Sequence, residues 1–150
     1  MKLLRTNKAM MKQYASCLTI SNNVLPRHFS SILKSGLIKK DNCVFIKSLL
    51  AQCDTVSSNN FSDKTGYECF VNHIHIDGIE LEKALKIGVA FLNQISIIIR
   101  KFGVHGAIRG IVSANDTGVT VSFHLLRPDE AWLSDNIEGY KEECVAEFEL

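Results

Sequence analysis

ELEKALKIGVAFLNQISIIIRKF, Glu80–Phe102, is the stretch around which the rest of the chain must be arranged. Leu81, Ala84, Leu85, Gly88, Phe91, Leu92, Ile95, Ile98, Ile99 and Phe102 recur at three- and four-residue spacing, which draws one apolar stripe along a helix. Ile87, Val89 and Ile97 widen the stripe. A helix this apolar in its second half needs cover on more than one side, so a sheet is expected against one flank and N-terminal helices against another. The pattern lasts only about three heptads, short of what a coiled coil needs. Gly103 is placed to end the helix.

Outward from this helix the period changes from helical to alternating. Gly106–Ser113 and Gly118–Leu126 read as two strands joined by Ala-Asn-Asp-Thr-Gly, with Gly118 free to take a positive φ. In the second strand Val119, Val121, Phe123 and Leu125 face one way, and Thr120, Ser122 and His124 the other. Upstream, Tyr67–Ile76 alternates and ends at Asp77-Gly78, which predicts a strand. Downstream, Asp129–Asp135 could form a helical turn after Pro128. Glu142–Leu150 alternates Cys144, Ala146, Phe148 and Leu150 against Glu143, Val145, Glu147 and Glu149, which favours a last strand over a helix through Leu133, Ile137, Tyr140 and Cys144. The expected fold is α+β: an antiparallel sheet of about four strands on one long helix.

The first 54 residues read as helical. Residues 1–20 have weak helical character. Pro26 fits the start of a helix carrying Phe29, Ile32 and Leu33 and stopping at Gly36. Asp41 or Asn42 can cap a second helix bearing Val44, Phe45, Leu49 and Leu50. Residues 55–66 are polar and turn-rich, with VSSNNFSDK at Val56–Lys64, and form the linker or loop between this helical part and a strand–helix–hairpin–strand part over 67–150. At 150 residues, 46% apolar and 22% charged, the chain fits a single domain with its own core.

The basic N-terminus is interrupted by Lys2, Arg5, Lys8 and Lys12 and lacks the apolar run of a signal peptide. Gly88–Ile99 is too short to span a bilayer and contains Asn93, Gln94 and Ser96. A cytoplasmic protein without a membrane partner is expected. The five cysteines, Cys17, Cys43, Cys53, Cys69 and Cys144, are odd in number and form no C-x-x-C pair. That argues against a disulfide framework and a structural zinc site.

No motif carries catalysis, and no cofactor is expected. His73 and His75 fall on one face of the expected strand and His124 on another strand, but no acidic residue completes a metal set. The same histidines with Lys64 or Lys83 could be imagined in RNA cleavage, though nothing in the spacing aligns them. Asp116-Thr117-Gly118 matches the tripeptide of aspartic proteases, yet hairpin-turn chemistry explains it fully. Gly103, Gly106 and Gly110 are too sparse for a phosphate loop, and a G-x-S-x-G elbow is absent. The chain therefore reads as a binding protein rather than an enzyme.

Charge is the strongest functional signal. The net charge is +1, but residues 1–40 carry eight bases and no acid, whereas residues 129–150 carry eight acids and one base. The ends stand at +8 and −7. The two ends could neutralise each other, or the basic N-terminus could meet nucleic acid. The reading preferred here is an acidic surface awaiting a cationic partner. Asp129, Glu130, Asp135, Glu138, Glu142, Glu143, Glu147 and Glu149 would form its rim, with Trp132 and Tyr140 as aromatic anchors.

A strand at Tyr67–Ile76, a long helix at Glu80–Phe102, a hairpin at Gly106–Leu126 and an acidic, aromatic-bearing tail together resemble the immunity proteins of bacterial toxin systems, including those of contact-dependent growth inhibition. The resemblance implies an antitoxin that covers a basic, nuclease-type toxin domain with carboxylates and so competes with the phosphate backbone. The alternatives are a nucleic-acid-binding or regulatory module using the basic N-terminal helices, and a histidine-dependent nuclease or metal hydrolase.

Overall fold

The computed structural model describes residues 1–19 and 25–150. Its frame is a five-stranded antiparallel sheet built from β1 (Lys2–Thr6), β4 (Ile74–Ile76), β5 (Ile108–Asn115), β6 (Gly118–Leu125) and β7 (Cys144–Glu149), in the order β1-β7-β5-β6-β4. A separate hairpin pairs β2 (Leu37–Lys40) with β3 (Cys43–Ile46). Five α-helices complete the described fold: α1 (Lys8–Tyr14), α2 (Arg27–Lys34), α3 (Lys47–Gln52), α4 (Lys64–Val71) and α5 (Leu81–Phe102).

The long helix is where its periodicity placed it. α5 ends at Gly103 in the left-handed conformation and lies across one face of the sheet. Its approach is closest at Gly88, where an added Cβ would stand 2.9 Å from Val121 Cγ2. The opposite flank of α5 is covered by the N-terminal part, with Phe91 edge-on to Phe29 of α2 at 6.2 Å between ring centres. One core cluster runs from Met10 and Phe29 through Phe45 and Tyr67 to Leu92, Val112 and Phe148. Of the polar stretch 55–66, residues 55–63 form a loop with a short 3₁₀ turn, Ser58–Asn60, while 64–66 already belong to α4; residues before and after the loop share that core.

The β5–β6 hairpin also forms as expected, with Asn115 paired to Gly118 around Asp116-Thr117. Gly118 takes φ 135°, and a Cβ there would stand 2.7 Å from the Ile76 carbonyl oxygen, so the position is closed to other residues. The alternation of Val119, Val121 and Phe123 inward holds along β6.

Three expectations fail for identifiable reasons. The N-terminal part is not wholly helical: Lys2–Thr6 forms the edge strand β1, antiparallel to β7, and brings the sheet to five strands. Asp41-Asn42 does not cap a helix. Both residues take positive φ, 54° and 61°, in the tight turn between β2 and β3. Asp and Asn suit either role, because their short side chains tolerate the left-handed region and also accept from helix N–H groups. Finally, Tyr67–Ile76 is not one strand. Asp63 accepts from Gly66 N–H and starts α4, which buries Tyr67, Glu68 and Val71 before the chain turns into the three-residue β4.

α4 earns its place by stitching two sheets together. Glu68, fully buried, accepts from the backbone N–H of Val44 on β3 (2.6 Å) and of Leu125 on β6 (3.0 Å), and from Arg127 Nη1 (2.6 Å). Asn72 accepts from Ile46 N–H and donates to the carbonyls of Val44 and Phe123. The two side chains supply the polar partners that a neighbouring strand would otherwise provide. Burial pushes the Glu68 carboxyl upward, while Arg127 and the two backbone donors pull it back.

Candidate recognition cleft

The face of the sheet away from α5 presents Arg109 on β5 opposite His124 on β6, beside Glu147 and Glu149 on β7 and Arg5 on β1. Residues 127–143 return across this face without forming a helix over Asp129–Asp135, contrary to one expectation for that segment. Leu133 and Ile137 pack with Ile111 and Val145 in a second small core, and this pins the segment down. Between the segment and the sheet a cleft of about 320 Å³ remains, open to solvent. Arg5, Arg109, His124 and Glu147 line it from the sheet, and Leu4, Leu126, Glu130, Trp132 and Asp135 from around them.

The ten residues proposed as a partner surface divide. Glu147 is buried, and its carboxylate is held by Arg5 Nε and faces Arg109 Nε at 3.8 Å. Glu149 pairs with Arg109 at 3.2 Å. Glu130 accepts from Thr65 N–H at 2.9 Å and stands 3.8 Å from Arg127. Glu138 accepts from the backbone N–H of Lys8, at the start of α1. Tyr140 is half-buried against the second small core, and its hydroxyl accepts from Ser134 N–H at 3.0 Å. These five serve the fold, so the acidic rim is not continuous: Glu147, Glu149 and Glu130 are answered by the protein's own arginines, because β1 lies beside β7 and Arg127 beside Glu130. Asp129, Asp135, Glu142 and Glu143 make no ion pair among the described residues, and the first three are exposed. Trp132 is 46% exposed at the mouth of the cleft, with Leu126 and Leu4 also exposed beside it.

His124 is the residue that the sequence reading undervalued. The residue is 3% exposed, and Nδ1 lies 2.9 Å from the Leu125 carbonyl oxygen, which can only accept. Nδ1 therefore carries the proton and Nε2 is left with a lone pair. Burial holds the ring below the ordinary imidazole pKa. Among the described residues Nε2 has no hydrogen-bond partner, and no sealed side-chain nitrogen or oxygen lacks one, so Nε2 opens onto the cleft. A polar residue on the outer face of a strand was legible; that a returning loop would bury it was not.

The other candidates separate. His73 and His75 are exposed near β4, and His75 stands 3.4 Å from Asp77. Among the described residues no group of three or more histidines, cysteines or carboxylates could hold a metal. The five cysteines are unpaired thiols. Cys17, Cys43, Cys69 and Cys144 are buried, and burial pushes the Cys43 thiol up to about 11. Of the N-terminal bases, Arg5 is committed to Glu147 and to the carbonyls of Ser134 and Asp135, while Lys2, Lys8 and Lys12 are exposed. Among the described residues no helix is long and apolar enough to cross a membrane.

Sheet, long helix and lined cleft define a small α+β protein with a polar cleft on the outer face of its sheet. The chain belongs to the uncharacterized protein PM0498 family, whose model matches residues 5–149. No curated protein and no solved structure matches it.

Proposed function

We propose that this is a cytoplasmic binding protein that neutralises a basic protein partner, an immunity protein against a nuclease-type toxin domain, and that it acts by contact rather than catalysis. The observation that carries this reading is Trp132. A large aromatic left 46% exposed beside Leu4 and Leu126, with Asp135 lining the same cleft, has the composition of an interface hot spot. The segment bearing it is pinned by Leu133 and Ile137, so little ordering is needed on binding. The carboxylates Asp129, Asp135, Glu142 and Glu143, without an ion pair among the described residues, would steer a cationic partner. The resemblance to immunity proteins adds the class of that partner.

Calorimetry with a purified basic nuclease-type toxin domain encoded beside this gene, and with an unrelated basic protein as control, tests the proposal. Tight binding is expected, weakened by about thirtyfold in Trp132→Ala. Asp135→Lys is expected to weaken binding at low salt, and less so as salt is raised. Absence of binding at low salt, or affinity unmoved by both changes, would refute the reading.

A further inference from the structure

The partner surface has a shape that selects one side chain. The cleft is lined by three carboxylates, Glu130, Asp135 and Glu147, against two guanidinium groups, Arg5 and Arg109. Both arginines are engaged: Arg5 with Glu147 and two loop carbonyls, Arg109 with Glu149 and Glu147. Two acceptors in the cleft have no donor among the described residues. One is the exposed carboxylate of Asp135 in the wall, and the other is Nε2 of the buried His124 in the floor. The indole of Trp132 and the side chain of Leu126 complete the lining with apolar surface.

A cleft of about 320 Å³ has room for one long side chain, and its lining decides which. What it lacks is a group that is cationic, planar and donates in more than one direction. A lysine ammonium is a compact, strongly hydrated point charge, whereas a guanidinium presents a flat face to an indole and N–H groups along its edge. An anion would meet Asp135 and Glu130 at the walls and a lone pair at the floor. Building on the reading above, we infer that the cleft is the seat for an arginine side chain of the basic partner. Trp132 stacks on the guanidinium, Asp135 pairs with it, and His124 Nε2 accepts one of its N–H groups.

Trp132 is the only tryptophan in the chain, so intrinsic fluorescence reports on this cleft alone. Hexa-arginine, hexa-lysine and inorganic phosphate are the probes. Hexa-arginine is expected to give a saturable change in Trp132 emission at a concentration about tenfold below that of hexa-lysine. Asp135→Asn, on the surface, is expected to raise the hexa-arginine midpoint about tenfold, and His124→Gln to raise it about threefold. Circular dichroism of the His124 variant shows whether the fold is retained. Equal response to both peptides, no saturable response, or saturation by phosphate would overturn the inference. Retained binding of the partner protein by Asp135→Asn and His124→Gln would also overturn it while leaving the binding-protein reading intact. A partner that does not bind the wild type at all would sink that reading first.

Discussion

At the residue scale, much of what matters here is a polar group taken out of water, and each such group has to be answered locally. Glu68 and Asn72 are answered by backbone on two strands and by Arg127. His124 is answered at one nitrogen only. Burial holds His124 below the ordinary imidazole value of about 6.5, and partial desolvation with His75 close by does the same for the more exposed His73, so the unfolded chain takes up protons first as pH falls. Stability is then complete above that value, declines as pH drops through it, and levels off below the depressed folded-state values. Urea midpoints taken from about pH 7.5 down to about pH 5 should fall accordingly. His124→Gln should flatten the slope without abolishing it, since His73 remains; an unchanged slope would show that His124 is not held neutral.

At the element scale, the periodic segments were legible and the short ones were not. A 22-residue helix carries several turns of redundant signal, and the β5–β6 hairpin announces itself by alternation and Gly118. α4 has eight residues and β4 three, and a stretch that short satisfies either period. Gly88 shows how an element-level rule yields to packing. In an isolated helix Gly→Ala stabilises by about 1 kcal/mol. Here the added methyl would stand 2.9 Å from Val121 Cγ2 and 3.5 Å from Val119 Cγ1, and overpacking costs about 1–3 kcal/mol. Gly88→Ala is therefore expected to lower stability by about 1 kcal/mol in urea titration. A gain would mean that α5 lifts from the sheet without cost.

At the scale of the whole molecule, the segregated charge of the chain is partly folded away. β1 lies against β7, so an N-terminal arginine reaches a C-terminal glutamate 142 positions on. Neutralisation of one end by the other, one of the alternatives open in the sequence, holds for Arg5 and Glu147; Glu149 and Glu130 are answered by Arg109 and Arg127 from the middle of the chain, and Asp129, Asp135, Glu142 and Glu143 have no ion pair among the described residues. The Glu147 side chain is only 11% exposed, so removing Arg5 leaves it with Arg109 alone at 3.8 Å. Arg5→Ala is expected to cost about 2 kcal/mol, hardly altered by salt, because breaking one half of a largely buried pair strands the other. Lys2→Ala, Lys8→Ala and Lys12→Ala should each stay within about 0.5 kcal/mol. Similar losses for all four would place the compensation in the diffuse field rather than in the pair.

The amino-acid order alone determined the long helix, the hairpin and the last strand, because side-chain periodicity over many residues is a local property of the backbone. It also showed that acids and aromatics crowd the C-terminal stretch. Which of those acids face solvent, that Lys2–Thr6 is a strand, and that His124 and Trp132 line one cleft were decided only in three dimensions. Pairing between distant segments depends on which partners the whole core brings within hydrogen-bonding reach, and no local pattern encodes that.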